Sequence, residues 1–171
     1  GIGTNAAGFS VVRAVLLAPL PYAAPDELVR VVGFEEDLAQ VDNLSPADFL
    51  DFAAGTETLA QMGAHGYVGS ATVGGDDRDA ERVGMVRVTQ GFFPTLGVQP
   101  AIGRLFTADE DLPKAPRVAV ISDGFWRRRF AGAPGVVGSD VRINAEPYTV
   151  IGVLPADYRH LEEDPDRSAD V

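Results

Sequence analysis

Cysteine is absent from the 171 residues, which excludes disulfides, thiolate catalysis and cysteine-held zinc or iron–sulfur centres. It does not fix the compartment. Histidine occurs twice, at His65 and His160, far apart in the chain, so histidine-based chemistry has little material to work with. Lys114 is the sole lysine, and no Gly-Lys-Ser/Thr step follows a glycine-rich loop, so the chain carries no motif for ATP hydrolysis. No run of about 18 apolar residues is present, so nothing in the sequence spans a bilayer by itself. Residue chemistry alone therefore displays a scaffold without an evident active site.

What is present is ordinary globular material, with 46% hydrophobic and 23% charged residues, enough for one domain or two small lobes. The net charge is −11 and unevenly spread. Residues 25–60 carry nine acids against one base, whereas 101–155 are nearly balanced. So acidic a chain repels nucleic acid and anionic lipid unless a local basic patch intervenes. The one patch is Arg127-Arg128-Arg129, and three consecutive arginines on a helix spread around it and read as a solvated face with carboxylate neighbours. A nucleic-acid partner is not expected.

Residues 5–17 read as an apolar helix with Asn5 as a possible cap, stopped by Pro19 and Pro21, and without the charged leader of a secretory signal. Residues 28–34 suit a strand, followed by an acidic loop over 35–43. Ser45-Pro-Ala-Asp48 supplies a cap, a first-turn proline and a carboxylate able to reach back, opening an amphipathic helix to Gly55 that is expected to lie on a sheet. Residues 58–73 and 80–89 read as two strands meeting at a Gly74-Gly-Asp-Asp77 turn, after which Thr89 is expected to cap one helical turn ending at Gly97. An extended connector, 98–106, leads to a second capping-box pattern at Thr107-Ala-Asp-Glu110. A strand over 118–121, a helix from Ser122 or Asp123 to Phe130, and a hairpin of 141–144 with 148–154 over Ala145-Glu146 complete the order. Trp126 and Phe130, at i,i+4, are expected to stack as the aromatic centre, packed with Val120, Ile143 and Val150. The class is α+β.

The candidate chemistry has plainer readings. The opening Gly1-Ile-Gly3…Gly8 is no dinucleotide fingerprint, because no strand precedes it and its third glycine is misplaced. Three acidic clusters, Asp76/Asp77/Asp79/Glu81, Asp109/Glu110/Asp111 and Glu162/Glu163/Asp164/Asp166, lack the alternating ligand spacing of a calcium loop and read as solvated turns. His65 reads as a surface or half-buried strand residue, and Ser45 is committed to capping. No catalytic, cofactor-binding or metal-binding residue is assigned, and no partner-binding residue either.

The order of motifs resembles the MacB-like periplasmic core domain of FtsX-like ABC-transporter permeases. The resemblance rests on residues 1–22, on Ser45-Pro-Ala-Asp-Phe-Leu-Asp-Phe52 and on Val88-Thr-Gln-Gly-Phe-Phe-Pro-Thr-Leu-Gly-Val98. It continues through Gly103-Arg-Leu-Phe106, Val118-Ala-Val-Ile-Ser122, Phe125-Trp-Arg-Arg-Arg-Phe130 and Ile143-Asn-Ala-Glu-Pro-Tyr-Thr-Val-Ile-Gly-Val-Leu-Pro155. It implies a two-lobed α+β extracytoplasmic domain, incomplete within these residues. Residues 1–21 would be the end of a membrane helix and its exit. Residues 22–97 plus 150–171 would form a porter-like βαββ lobe, with 98–149 as an inserted, sabre-like lobe. It further implies a non-catalytic, cofactor-free part of a bacterial inner-membrane permease, on the periplasmic or extracellular side. Such a part couples cytoplasmic ATP hydrolysis to export or mechanotransmission. The implied partners are an ATP-binding subunit or domain, a membrane-fusion adaptor in tripartite pumps, and a second permease copy. The other class considered is a secreted α+β enzyme or ligand-binding domain, which a deep pocket holding His65 or His160 beside a carboxylate would favour. An unpaired edge and a partly uncovered face are expected for the sheet containing 28–34, with helix 5–17 projecting from the body or covering that face.

Overall fold

The computed structural model describes residues 22–35, 40–42, 44–75, 78–160 and 169–171. The expected helix over 5–17 and the acidic cluster at 162–166 lie outside them. The elements in chain order are β1 (Gly33–Glu35), β2 (Gln40–Asp42), α1 (Pro46–Gly55), β3 (Gly69–Gly75) and β4 (Arg78–Met85). Then follow α2 (Phe92–Thr95), β5 (Ile102–Gly103), β6 (Val118–Ile121), α3 (Asp123–Phe130), β7 (Asp140–Ile143) and β8 (Glu146–Val153). Single 3₁₀ turns sit at Pro25–Glu27, Ala108–Asp111 and Pro134–Val136. The class is α+β, as the order of elements predicts.

One six-stranded sheet organises the body. Its path runs β4-β3-β7-β8-β5, and β6 also pairs with β8, in parallel, while every other pairing is antiparallel. β8 is the hub, bonded to β5, β6 and β7. Opposite β6, Ala119 pairs with Val150 but Val120 pairs with Gly152, so Ile151 is the extra residue of a bulge. The bulge lets β8 serve two apolar layers. Val150 and Val153 join Val73, Ile121, Phe125 and Ile143 in one cluster, whereas Ile151 and Leu154 join Phe92, Phe93, Leu96 and Val120 in the other. Where β5 crosses β8, Gly103 faces Gly152, and a Cβ on Gly152 would run into the Arg104 carbonyl.

Several expectations change in the folded chain. Of residues 28–34 only the last two enter a strand, β1, and its partner β2 comes from within the expected acidic loop; together they form a separate two-stranded ribbon. Residues 28–32 find no ladder partner among the described residues, and Val29 is 67% exposed. The expected strand over 58–73 shortens to β3, because the glycine-interrupted stretch before it meets residues 87–89 only through a bridge of His65 with Val88 and flanking bonds from Gly66 and Thr89. The 80–89 strand becomes β4, which starts and ends earlier. Along β4, the Val86 N–H donates to the Val171 carbonyl and the Asp170 N–H to the Gly84 carbonyl, so the last described residues lie against the strand's end.

Ser45 caps α1, accepting from the Asp48 N–H at 3.2 Å, but the Asp48 carboxylate accepts the Ser45 hydroxyl proton at 2.7 Å rather than reaching back to the backbone. The helix is not laid on the sheet: none of its residues is buried. Thr89 does not cap α2. Its hydroxyl oxygen accepts from the Ala64 N–H at 2.8 Å, tying two extended segments together, and Gly91 opens the turn instead. Gly97, at φ +70°, ends α2 as expected and turns the Val98 N–H back to the Phe93 carbonyl.

Ser122 caps α3 by accepting from the Phe125 N–H at 3.1 Å. The aromatic centre is Phe125, fully buried and edge-on to Phe130 at 6.0 Å, not a Trp126–Phe130 stack. Trp126 is half-buried at the margin of the cluster and donates its Nε1–H to the Ala133 carbonyl at 2.9 Å. Val120 packs on the opposite face of the sheet from Ile143 and Val150. The β7–β8 turn is Asn144-Ala145, one residue earlier than expected, with both residues at positive φ as a two-residue hairpin demands.

Candidate functional site

The polar groups singled out from the sequence are mostly engaged in holding the fold. Arg127 meets Asp123 at 2.7 Å one helical turn away, and Arg128 meets Glu81 at 2.6 Å and Asp170 at 3.4 Å. Two of the three arginines are thus paired with carboxylates, as their helical spacing suggests. Of the first acidic cluster, Glu81 is drawn into that pair, and Asp76 and Asp77 lie outside the described residues.

The Thr107–Glu110 capping box forms around the 3₁₀ turn. Glu110 accepts from the Thr107 N–H at 2.8 Å and from both terminal nitrogens of Arg104, at 2.9 and 2.7 Å. The Arg104 guanidinium, helped by Thr107, holds the Glu110 carboxyl down to about 2 against the desolvation that opposes it. Asp111 accepts from the Gln90 N–H at 2.8 Å and fastens this turn to the start of α2. No group of three or more histidine and carboxylate side chains suited to a metal ion occurs among the described residues.

The two histidines, remote in sequence, come together. Their rings meet edge-on at 5.1 Å, and each also contacts Phe92, at 5.3 Å for His65 and 5.6 Å for His160. His160 is buried, with Nδ1 3.2 Å from the Tyr158 hydroxyl; His65 is half-buried, with Nδ1 donating to the Gly66 carbonyl at 3.0 Å. Nothing in the sequence signals this meeting, since it depends on α2 presenting Phe92 between segments that share no motif. The arrangement is an aromatic corner that pins residues 158–160 against α2, with the Tyr22 hydroxyl donating to the Arg159 carbonyl at 2.9 Å beside it.

Two open grooves mark the surface. One, of about 330 Å³, runs between the end of β4 and residues 110–120; the other, of about 390 Å³, separates α1 from residues 59–62 and 89–91. Neither histidine lines either groove. The second groove is apolar on the α1 side, where Phe49, Leu50 and Ala53 face Leu59 and Met62, and it went unnoticed in the sequence because α1 was expected to be covered. No helix among the described residues is long and apolar enough to cross a membrane.

Comparison with known proteins places this architecture. The extracellular domain of YknZ, a noncanonic ABC-type transporter from Gram-positive bacteria, matches with a TM-score of 0.53 at 22% identity, over 72% of this chain and 58% of that one. The periplasmic region of MacB from Actinobacillus actinomycetemcomitans matches with a TM-score of 0.47 at 21% identity, over 61% of this chain and 49% of that one. A domain of a putative permease from Porphyromonas gingivalis gives 0.41 at 18% identity, over 63% and 44%. The chain therefore matches about half the length of these solved domains, and no curated protein sequence matches it. The family model described as the MacB-like periplasmic core domain matches residues 1–168. With nearly the whole chain inside that model, the protein belongs to the family of MacB-like periplasmic core domains.

Proposed function

We propose that the chain is a non-catalytic extracytoplasmic domain of an ABC-transporter permease in a bacterial cytoplasmic membrane. The match of the family model to residues 1–168 carries this reading. In it the domain turns nucleotide-driven motion of a cytoplasmic ATP-binding subunit or domain into export or mechanotransmission outside the membrane. A membrane-fusion adaptor or another extracytoplasmic protein is the partner on the outer side, and the full permease works as a dimer. Residues 1–21 then belong to the exit from a membrane helix, residues 22–97 with 150–171 to a porter-like lobe, and 98–149 to a sabre-like lobe. The pairing of Val73 with Ile143 and the run of β8 through residues 149–150 join strands of the last two segments in one sheet, which supports their moving together. The engagement of Ser45, Glu110 and Arg128 in caps and ion pairs supports a mechanical role over a catalytic one.

The test uses the full permease with its ATP-binding subunit in lipid nanodiscs, comparing hydrogen exchange across residues 22–160 in the nucleotide-free and vanadate-trapped states. Protection is expected to change at element boundaries and at the grooves. Identical protection in both states, or micromolar ATP binding by this chain alone, overturns the reading.

A further inference from the structure

The groove between the end of β4 and residues 110–120 carries the bonding of a strand position, begun at one end by residues 170–171. There the Asp170 and Val171 N–H groups donate to the Gly84 carbonyl at 2.8 and 3.1 Å, and the Val86 N–H donates to the Val171 carbonyl at 3.0 Å. The Val171 bonds to Gly84 and Val86 are those of a parallel ladder with Met85 opposite Val171. On the other side, the Ser122 N–H, just past β6, donates to the Asp170 carbonyl at 2.9 Å. β4 and β6 thus stand one strand apart here, about 10 Å at two ladder spacings.

Past Val171 the edges on both sides stay open among the described residues. β6 pairs with β8 alone, giving the Arg117 and Ile121 carbonyls to the Thr149 and Leu154 N–H groups. Backbone groups alternate along a strand, so Val118 and Val120 aim theirs the same way as Ser122, into the groove. Opposite, Arg87 and Thr89 bond to Gly66 and Ala64, which leaves Val88, like Val86, facing the groove. Val120 is buried, and buried backbone groups need partners. Ile143 and Tyr148, from β7 and β8, line the same groove, so it opens towards the core of the sheet. The pairings around the sheet set β6 opposite in direction to β4, so a strand parallel to one is antiparallel to the other.

Chain direction decides the occupant. From Asp170 to Val171 the polypeptide heads along β4 from Gly84 towards Val88, and along β6 from Ser122 towards Val118. Whatever follows is delivered to both open edges already tethered, which an unconnected strand matches only at high concentration. We infer that the segment following Val171 in the longer polypeptide fills this groove as a strand, parallel to residues 86–88 and antiparallel to β6, and closes the sheet between β4 and β6. The reach from Ser122 to Val118 takes about four residues. Val171 packs with the cluster around Ile143, whereas Val88, Phe106 and Val118 belong to the other cluster. Successive residues of the added strand therefore meet apolar side chains on both faces, and its sequence is expected to be an apolar run. This filling does not depend on the transporter reading.

Amide hydrogen exchange tests this on the 171-residue chain and on the natural polypeptide carried about eight residues past Val171. The Val118 and Val120 amides are expected to exchange at least about a hundredfold more slowly in the lengthened chain. Proline at the first and third added positions, whose N–H groups face β6 in this register, is expected to remove that slowing. The Val73 and Ile143 amides report whether each form is folded; should the proline variant leave them unprotected, the comparison without proline decides. A reading frame that ends at Val171, equal exchange in the two chains, or slowing that survives the prolines in a folded chain would overturn the inference. So would slowing that appears only as protein concentration rises, because a second copy would then be supplying the strand.

Discussion

Glu110 shows how a single residue can make stability depend on pH. Its carboxyl, 10% exposed, is held down to about 2 from 4.5 by the bidentate Arg104 and by Thr107. A depressed folded-state value means the stabilisation is present above pH 4.5 and is lost as pH falls towards 2. Half of the Arg104 side chain is in solvent, so screening reduces the contribution to about 1–2 kcal/mol. Glu110→Gln should therefore flatten the acid limb of a urea-denaturation series between those pH values; an unchanged limb would show that the pair contributes nothing. In the core, Phe125→Ala should cost about 3–5 kcal/mol, the range for deleting a fully buried aromatic. Trp126→Phe should cost about 1 kcal/mol, for the lost indole bond to Ala133. Chemical denaturation of both variants checks the order, and a larger loss at Trp126 would return it to the centre of the cluster.

Among the elements, the β7–β8 hairpin is open to improvement. Ala145 sits at φ +69°, a conformation that its Cβ resists and glycine adopts freely. Ala145→Gly should raise stability by about 0.5–1 kcal/mol, read as a higher melting temperature; a lower one would mean that the Cβ contributes packing not visible at an exposed turn. This turn also shows where the sequence stops being informative. Both of its strands were expected from the sequence, yet Asn144-Ala145 lacks the glycine that would have fixed the register. β6, α3 and the Ser45 and Ser122 caps were legible because each is set by residues within four positions. The β1–β2 ribbon, the shortening of β3 and the burial of Phe125 rather than Trp126 were not, since each depends on which distant segment supplies a ladder or a cavity. The histidine corner and the α1 groove were hidden for the same reason. A face is exposed or covered by tertiary structure, and helical periodicity says only that the face exists.

At the scale of the whole molecule, β8 has a consequence for how the protein comes into being. β5, β6 and β7 all precede it in the chain and all bond to it, while β1 with β2, β3 with β4 and the single Val73–Ile143 pair of β3 with β7 are the pairings that do not involve it. A chain emerging amino-terminus first can therefore close two hairpins early, but beyond the single Val73–Ile143 pair the rest of the sheet waits for residues 146–153. Pulse-labelled refolding should show β5 and β6 amides gaining protection together with those of β8; protection of β6 ahead of β8 would refute this. Strand order thus acts as a timer, leaving a long stretch of polypeptide pliable until β8 has been made and letting the sheet set late.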